Sequence, residues 1–445
     1  MIMIRKRSLV EVGVLILSLV LLAQPSRASE EEGIYTLERS IQEALENNWA
    51  LKAEKERIEQ AVEVMKQRRA EFLPKLSTSY GYVRDSEART FRSTLGGGGQ
   101  DIAISTQDNW RWTGTIRQPV FTGFSLLSSY RLAQLGIKQS RMNYELRKLD
   151  LALKTKEAYF NVLIADKAVE VARKDVEARE SSADVARNFY KVGLIPINEL
   201  LQAEVELASA RQAFVRAKNE AAQARAAFNT LLARPIDAPV GVRDILEYKP
   251  EIGTFKEYYE RAIKQRPEIK LVDNSLLQAE QQIRLARSKY MPEVAFTYNY
   301  IKEGDDPSVE GSPFHDANRW EALIALEWTF WEWGKTRAAE REKERLREEL
   351  ARTKRDLEIN IGLEIKRALL DLQTAEKNIP TTKKAVEQGE ENLRVSQERY
   401  KAQVTTITEV LDAQTRLTRS RVNYFRALYD YQLARSRLLR AIGTY

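Results

Sequence analysis

Lys75-Leu76-Ser77-Thr78-Ser79-Tyr80-Gly81-Tyr82-Val83-Arg84 alternates with a period of two, placing Leu76, Thr78, Tyr80 and Tyr82 on one side and Ser77, Ser79, Gly81 and Val83 on the other. The pattern returns at residues 293–302, where Val294, Phe296, Tyr298 and Tyr300 share a side. Successive side chains of a strand point to opposite faces, so both stretches read as ribbons with one apolar face. Residues 109–118 set Trp110, Trp112, Gly114 and Ile116 against Arg111, Thr113, Thr115 and Arg117. Residues 319–329 set Trp320, Ala322, Ile324, Leu326 and Trp328 against Glu321, Leu323, Ala325 and Glu327. Each run has the length of about ten residues that a tilted strand needs to cross a bilayer. A soluble sheet with one face on a core alternates in the same way. The tryptophans separate the two readings: Trp110, Trp112 and Trp320 gather at one end, Trp328, Trp331 and Trp333 at the other, as two interfacial girdles would.

Four strands cannot close a barrel, because the smallest membrane barrels have about eight. Open edges are not tolerated in lipid, where their N–H and C=O groups find no partner. The chain therefore has to oligomerise, and two, three or four copies would give eight, twelve or sixteen strands.

The chain is also written twice. Residues 36–83 match 254–301 at an offset of 218, with Thr36/Thr254, Ala44/Ala262, Gln60/Gln278, Pro74/Pro292 and Tyr80/Tyr298 identical. From about residue 110 the offset is 210, as in Trp110/Trp320, Tyr190/Tyr400, Glu199/Glu409, Leu201/Leu411 and Arg211/Arg421. The change falls in loops, one with four glycines at 96–99 and the other with Gly304, Pro307, Gly311 and Pro313. The first copy, 29–234, reads as a helix, strands 75–84 and 109–118, a long helix 123–191 and a helix 197–233. After a linker at 235–253, the second copy, 254–445, reads as a helix, strands 293–302 and 319–329, a long helix 335–401 and a helix 407–442.

Between Ser125 and Tyr190 there is no proline and only one glycine, Gly136, so a single helix of roughly 100 Å is expected. Its early a and d positions, from Leu132 to Leu163, predict coiled-coil-like lateral packing. In the second long helix, 15 of the 22 residues at 337–358 are charged, too many for a solid core. A single-layer tube, whose helices touch only on their flanks, accommodates that charge. Pro380 is expected to kink this helix.

Residues 1–28 read as a secretory signal: Arg5, Lys6 and Arg7, an apolar run to Ala23, and Ser26-Arg27-Ala28 as a cleavage site. The remainder carries 67 basic and 63 acidic residues, a dispersed +4 that argues against nucleic-acid binding. Catalytic chemistry has little to build on. There is no cysteine and one histidine, His315, in a loop, so neither a His/Cys metal site nor a His-based triad is available. Gly334-Lys335-Thr336 lacks the earlier glycine of a phosphate loop, having Thr329 there. No enzyme activity, metal or cofactor is expected.

Several local patterns together resemble the TolC family of outer-membrane efflux proteins over essentially the whole mature chain. They are Thr36-Leu37 with Ala44-Leu45-Glu46-Asn47-Asn48, Leu73-Pro74, Gln118-Pro119-Val120-Phe121-Thr122-Gly123, and Trp331-Glu332-Trp333-Gly334-Lys335. More specific are the hairpin tips, Tyr190-Lys191-Val192-Gly193-Leu194 leading to Glu199-Leu200-Leu201-Gln202-Ala203, and Tyr400 leading to Glu409-Val410-Leu411-Asp412-Ala413. The resemblance implies a mainly α fold with a small β part. Long α-helical hairpins form a periplasmic α-barrel, and each chain lends four strands to a trimeric twelve-stranded transmembrane β-barrel. It further implies a passive conduit in the outer membrane, a periplasmic adaptor, and an inner-membrane pump of RND, ABC or MFS type. By the same likeness, Val192, Gly193 and Leu194 form the adaptor-docking tip. Glu409 and Asp412 would make carboxylate rings at the entrance, and Glu199 and Tyr400 would link neighbouring hairpins when it is closed. Two departures stand out: Ala402-Gln403-Val404 lacks the Gly-Leu of the first tip, and Thr405 replaces an arginine that locks the gate in some members. A soluble periplasmic coiled-coil scaffold is the alternative from a different class.

Overall fold

The computed structural model describes residues 34–93, 100–246, 248 and 253–445. The signal segment at 1–28, the glycines at 96–99 and part of the 235–253 linker lie outside the described residues. In chain order the elements are β1 (Ile34–Tyr35), α1 (Leu37–Asn47), α2 (Trp49–Ala70), β2 (Lys75–Arg84), β3 (Thr90–Ser93), β4 (Gln100–Ala103), β5 (Asp108–Thr122), α3 (Ser125–Lys191) and α4 (Ile197–Leu231). There follow β6 (Gly241–Val242), α5 (Phe255–Gln265), α6 (Pro267–Arg287), β7 (Glu293–Gly304), β8 (Asn318–Glu327), α7 (Lys335–Lys401) and α8 (Ile407–Ala441). Mainly helical with a small sheet, this is the expected fold class.

One reading needs correction. The single helix assigned to the start of each copy is two helices, broken at Asn48 and at Arg266, where the backbone is extended (ψ 123° and 127°). At the first break the Asn48 carboxamide oxygen accepts from the N–H groups of Ala50 and Leu51, at 3.0 and 3.3 Å, capping α2. At the second, Pro267 drives the residue before it out of the helical region. Each copy thus begins a new helix at matched positions by different means. Thr36 caps α1, while Thr254 and Glu257 form a full capping box on α5. The first loop also differs from expectation, since β3 and β4 make an antiparallel hairpin within it. β5 begins at Asp108 and extends to Thr122, beyond the alternating 109–118 core, through a register irregularity between Pro119 and Phe121. β8 ends at Glu327, leaving Trp328 outside the strand.

Strands β2, β5, β7 and β8 form one antiparallel sheet in that order, so β5 and β7 join the two copies at its centre. Register brings the four apolar faces together. Tyr80 opposes Trp112, Leu76 opposes Ile116, which opposes Tyr298 and through it Ala322, and Tyr300 opposes Trp320. β2 and β8 are left as open edges.

The helices repeat the order of the sheet because each continues from its strand. Next to the sheet, α2, α3, α6 and α7 lie side by side; farther away, the layer is α4, α3, α8 and α7. In the charged half of α7, ion pairs to α6 take the place of a core: Arg287 to Glu340 and Glu344 at 2.5 and 3.3 Å, Arg347 to Glu280 at 3.4 Å, and Lys354 to Asp273 at 2.7 Å. The buried residues of α7 begin only at Ile361, and the helix runs on through Pro380 to Lys401.

The main core is a belt at mid-height. Tyr159, Phe160 and Phe228 of the first copy pack with Ile361, Ile365, Tyr431 and Leu438 of the second, beneath the two-residue parallel pair β1–β6. Tyr159 anchors that pair by donating to the carbonyls of Tyr35 and Arg243, at 3.1 and 2.7 Å. Of the long heptad run in α3, Leu149, Lys156, Phe160 and Leu163 are buried, whereas Leu132, Leu135 and Met142 nearer the sheet are only partly covered. No described helix is long and apolar enough to cross a membrane.

Candidate functional site: an amphipathic sheet and two helical tips

The two faces of the sheet differ sharply in chemistry. On the polar face Arg111 pairs with Glu303 at 2.6 Å, and Arg319 reaches the same carboxylate at 3.5 Å. Two rows along, past Thr113 and Ile301, the Thr115 hydroxyl and the Asn299 side chain are hydrogen-bonded at 2.7 Å, and Asn299 Nδ2 donates to Glu321 at 2.7 Å. On the other face Leu76, Ile116, Ile324 and Leu326 are exposed with no protein layer over them. An apolar face of this size opposite a hydrated one fits hydrocarbon outside and water inside.

Near the loop-side end of the apolar face, Trp110 packs on Tyr82 and Tyr80 (ring centroids 4.4 and 5.6 Å apart), Trp112 on Tyr300 (6.3 Å) and Trp320 on Tyr298 (6.2 Å). The other three tryptophans occupy the link between β8 and α7. Trp328 Nε1 donates to the Tyr290 carbonyl at 3.1 Å, and Trp331 lies 5.7 Å from Trp333, which is 89% exposed. Phe330, 78% exposed, belongs to the same cluster, although alternation alone had not singled it out. The six tryptophans therefore stand at the two ends of the sheet, with aliphatic side chains between.

At the opposite end of the molecule the two helical hairpins turn. In the first, Gly193 has φ +74°; its N–H donates to the Tyr190 carbonyl and that of Leu194 to Phe189, at 3.0 and 2.9 Å. These two bonds close the C-terminus of α3. In the second, Gln403 takes the glycine's place at φ +60°, and the same bonds run from Gln403 to Tyr400 and from Val404 to Arg399, at 2.9 and 3.0 Å. The missing Gly-Leu changes the residues and not the turn. Val192, Leu194 and Val404 are 69%, 52% and 63% exposed, so both tips present aliphatic surface.

Glu199 and Tyr400 come together where the hairpins meet. Glu199 accepts from the Ile407 N–H at 3.4 Å, at the start of α8, which has no side-chain cap of its own. The ring of Tyr400 is buried 5.6 Å from that of Phe189. Burial, assisted by the Glu199 charge, pushes its hydroxyl up to about 12. Glu409 and Asp412 are not equivalent. Glu409 is held by Arg399 at 2.7 Å and by the Thr405 hydroxyl. Asp412 is exposed and has no ion-pair or hydrogen-bond partner among the described residues. Arg399 was missed by sequence reasoning, though its position across the turn from Glu409 was a usable signal. Thr405, which stands where some members of the family have an arginine that locks the gate, is one of the two partners of Glu409.

The chain matches the family model described as "Outer membrane efflux protein" over residues 40–234 and 258–444. It is 22% identical over 396 residues to the outer membrane protein TolC of Vibrio cholerae, covering 86% of this chain and 85% of that one. To the pyoverdine export outer membrane protein OpmQ of Pseudomonas aeruginosa it is 23% identical over 421 residues, covering 93% and 85%. Among solved structures, the CmeC outer membrane channel of Campylobacter jejuni superposes with a TM-score of 0.78 at 19% identity, covering 92% of this chain and 85% of that one.

Proposed function

Because the chain belongs to the outer membrane efflux protein family, and is thus an outer-membrane channel protein with a large periplasmic portion, we propose that three copies close one conduit. Membership removes the soluble scaffold as an alternative. In the proposed trimer, edge β8 of each copy pairs with edge β2 of the next, giving twelve strands, while α7 packs against the neighbouring α2 and α4. The observation that carries this is the sheet itself. It has an exposed, mainly apolar face and two unpaired edges, a combination that lipid does not tolerate until the perimeter is shared.

The tryptophans at the two ends of the sheet then serve as girdles in the outer-membrane lipid. Val192, Gly193 and Leu194 dock a periplasmic adaptor, which connects the conduit to an inner-membrane pump of RND, ABC or MFS type. The conduit carries out no covalent chemistry. At the entrance, threefold repetition of exposed carboxylates favours cations. Since Arg399 offsets Glu409, Asp412 supplies most of that preference.

Conductance in planar bilayers tests the entrance. The unmodified channel should prefer cations, with Asp412→Ala weakening the preference more than Glu409→Ala; a preference unchanged in the double variant would remove the entrance assignment. Sedimentation of the detergent-solubilised protein tests the assembly, and a stable monomer would refute it.

A further inference from the structure

At mid-height α7 differs in chemistry from side to side. Ile361, Ile365, Leu372 and Ile379 are buried in the core. Gly362 lies under α5, where an added Cβ would be 3.4 Å from Tyr259, and Glu376 accepts from the Tyr248 hydroxyl of the linker. Both of these contacts fall on one side of the helix. The opposite side carries Arg367, Asp371, Thr374 and Asn378, three or four residues apart and so stacked on one face. With Asp430 and Arg437 of α8 they line an open groove of about 640 Å³, a volume within the range of small-molecule sites. In a closed tube of three copies, the added layer of α1, α5 and the β1–β6 pair has to lie outside, because inside it would plug the bore. The groove then opens on the lumen.

The charges of the groove are sorted along the tube. α7 runs away from the sheet and α8 runs back, and the close approach of Gly389 to Leu417 fixes their register. Counting back from that contact, Arg437 falls level with the turn between Arg367 and Asp371, and Asp430 level with Glu376. Two cations, Arg367 and Arg437, therefore stand at the sheet-side end, and two anions, Asp371 and Asp430, at the tip-side end. Opposite charges are spaced by about 6 Å along α7 and about 10 Å along α8, at 1.5 Å per residue. These groups are little used by the fold. Arg367 has a carboxylate one turn away on either side and pairs with neither: Glu364 is held by Arg266 at 2.6 Å, and Asp371 has no ion-pair or hydrogen-bond partner among the described residues. Asp430 likewise has none, and Arg437 reaches Glu157 only at 3.4 Å. Between the two ends the floor is apolar, with Ala368, Ala375 and Ala434 buried. The first copy does not repeat the arrangement. Its matched positions hold Glu157, Asn161, Glu220 and Ala227, among which no cation remains, so a tube wall does not require this pattern.

We propose that this groove is a lumenal subsite for elongated zwitterionic cargo, taking an ammonium group at Asp371 and Asp430 and a carboxylate at Arg367 and Arg437. This rests on the reading of the chain as one third of a closed conduit. A zwitterion satisfies both ends, whereas a molecule with a single charge satisfies one end and lies beside charge of its own sign at the other. The four groups are exposed and hydrated, so the subsite holds its cargo weakly. A conduit requires that, because a site that bound tightly would stop the flow.

The chain has no cysteine, so Thr374→Cys places a single thiol in the groove of the full-length channel. Its rate of modification by uncharged methyl methanethiosulfonate is measured in detergent with and without triglycine, whose charged ends lie about 10 Å apart when extended. N-acetyltriglycine and triglycine amide keep the backbone but only one charge each. Triglycine should slow the modification several-fold at a concentration where the other two slow it little. In Asp371→Asn/Asp430→Asn, triglycine should protect no better than N-acetyltriglycine, and in Arg367→Gln/Arg437→Gln no better than the amide. Equal protection by all three peptides, or protection by none, in a preparation that sediments as a trimer would overturn the subsite and leave the conduit standing. Sedimentation as a stable monomer would remove both.

Discussion

The Asn48 side-chain amide donates to the carbonyl of Leu231 at 3.1 Å, tying the start of α2 to the last turn of α4. In the second copy Arg266 stands at the matched break and donates to the carbonyl of Ala441 at 3.3 Å, in the last turn of α8. Both bonds satisfy a helix-terminal carbonyl that would otherwise lack a partner in the mid-height core. Arg266 does more, because it also pairs with Glu268 and Glu364, at 2.7 and 2.6 Å.

The two replacements should therefore differ in cost. Asn48→Ala loses a helix cap and one long-range hydrogen bond, worth about 1–2 kcal/mol. Arg266→Met leaves Glu268 buried beside only Arg440 and should cost about 3–5 kcal/mol. Thermal unfolding of the detergent-solubilised protein followed by circular dichroism would rank them, and equal losses would contradict this account.

Acid should weaken the same junction. Burial works against the Glu268 charge, but the Arg266 hydrogen bonds and the charges of Arg266 and Arg440 outweigh it and hold the carboxyl down at about 2, against 4.5 ordinarily. A lowered folded-state value means that the stabilisation is fully present above pH about 4.5 and disappears as pH falls towards about 2. Its ceiling is on the order of 3 kcal/mol. Glu268→Gln should flatten that part of the stability profile between pH 5 and pH 2; an identical acid slope in the variant would rule the group out.

The tips can be exchanged in chemistry. Gln403 bears a left-handed backbone without being glycine, which costs about 1 kcal/mol. Gln403→Gly should slow hydrogen exchange at the Val404 amide, which closes the turn, while Gly193→Ala should speed it at the Leu194 amide. No change at either amide would show that backbone strain does not control the turns.

Neighbouring residues on β8 should respond oppositely to charge. Ile324 lies on the apolar face and Leu323 on the hydrated one. Ile324→Arg should cost about 2–4 kcal/mol in the bilayer and reduce the heat-modifiable assembly recovered from membranes. Leu323→Arg should assemble normally, and the reverse outcome would mean that the two faces have been exchanged.

Much of this was legible in the sequence because the signals are local. Alternation of Leu76, Thr78, Tyr80 and Tyr82 identifies a face whatever the strand pairs with, and Gly193 after Tyr190 announces a helix end. The break at Asn48 was missed although Asn47-Asn48 is a poor helix former and a favoured cap; the bonds its side chain accepts from Ala50 and Leu51 show only in the structure. The break at Arg266 had a visible cause in Pro267. At the tips, Glu199, Tyr400, Glu409 and Asp412 were identifiable as a group by resemblance. The different surroundings of Glu409 and Asp412 were not, since they depend on where Arg399 folds.

Sequence by itself determined that four amphipathic ribbons and two long helices exist, because periodicity acts within a few residues and the first helix lacks breakers; that the second runs on through Pro380 only the structure shows. Sequence also carries the proposal that the ribbons share their edges with other copies, since hydrocarbon offers no partner for a peptide group. Only the tertiary structure decided that β5 meets β7, that β2 and β8 stay open, and that the Arg179 charge crosses to Thr415. Those contacts join residues well over a hundred positions apart, and their geometry is set by packing that no local pattern encodes.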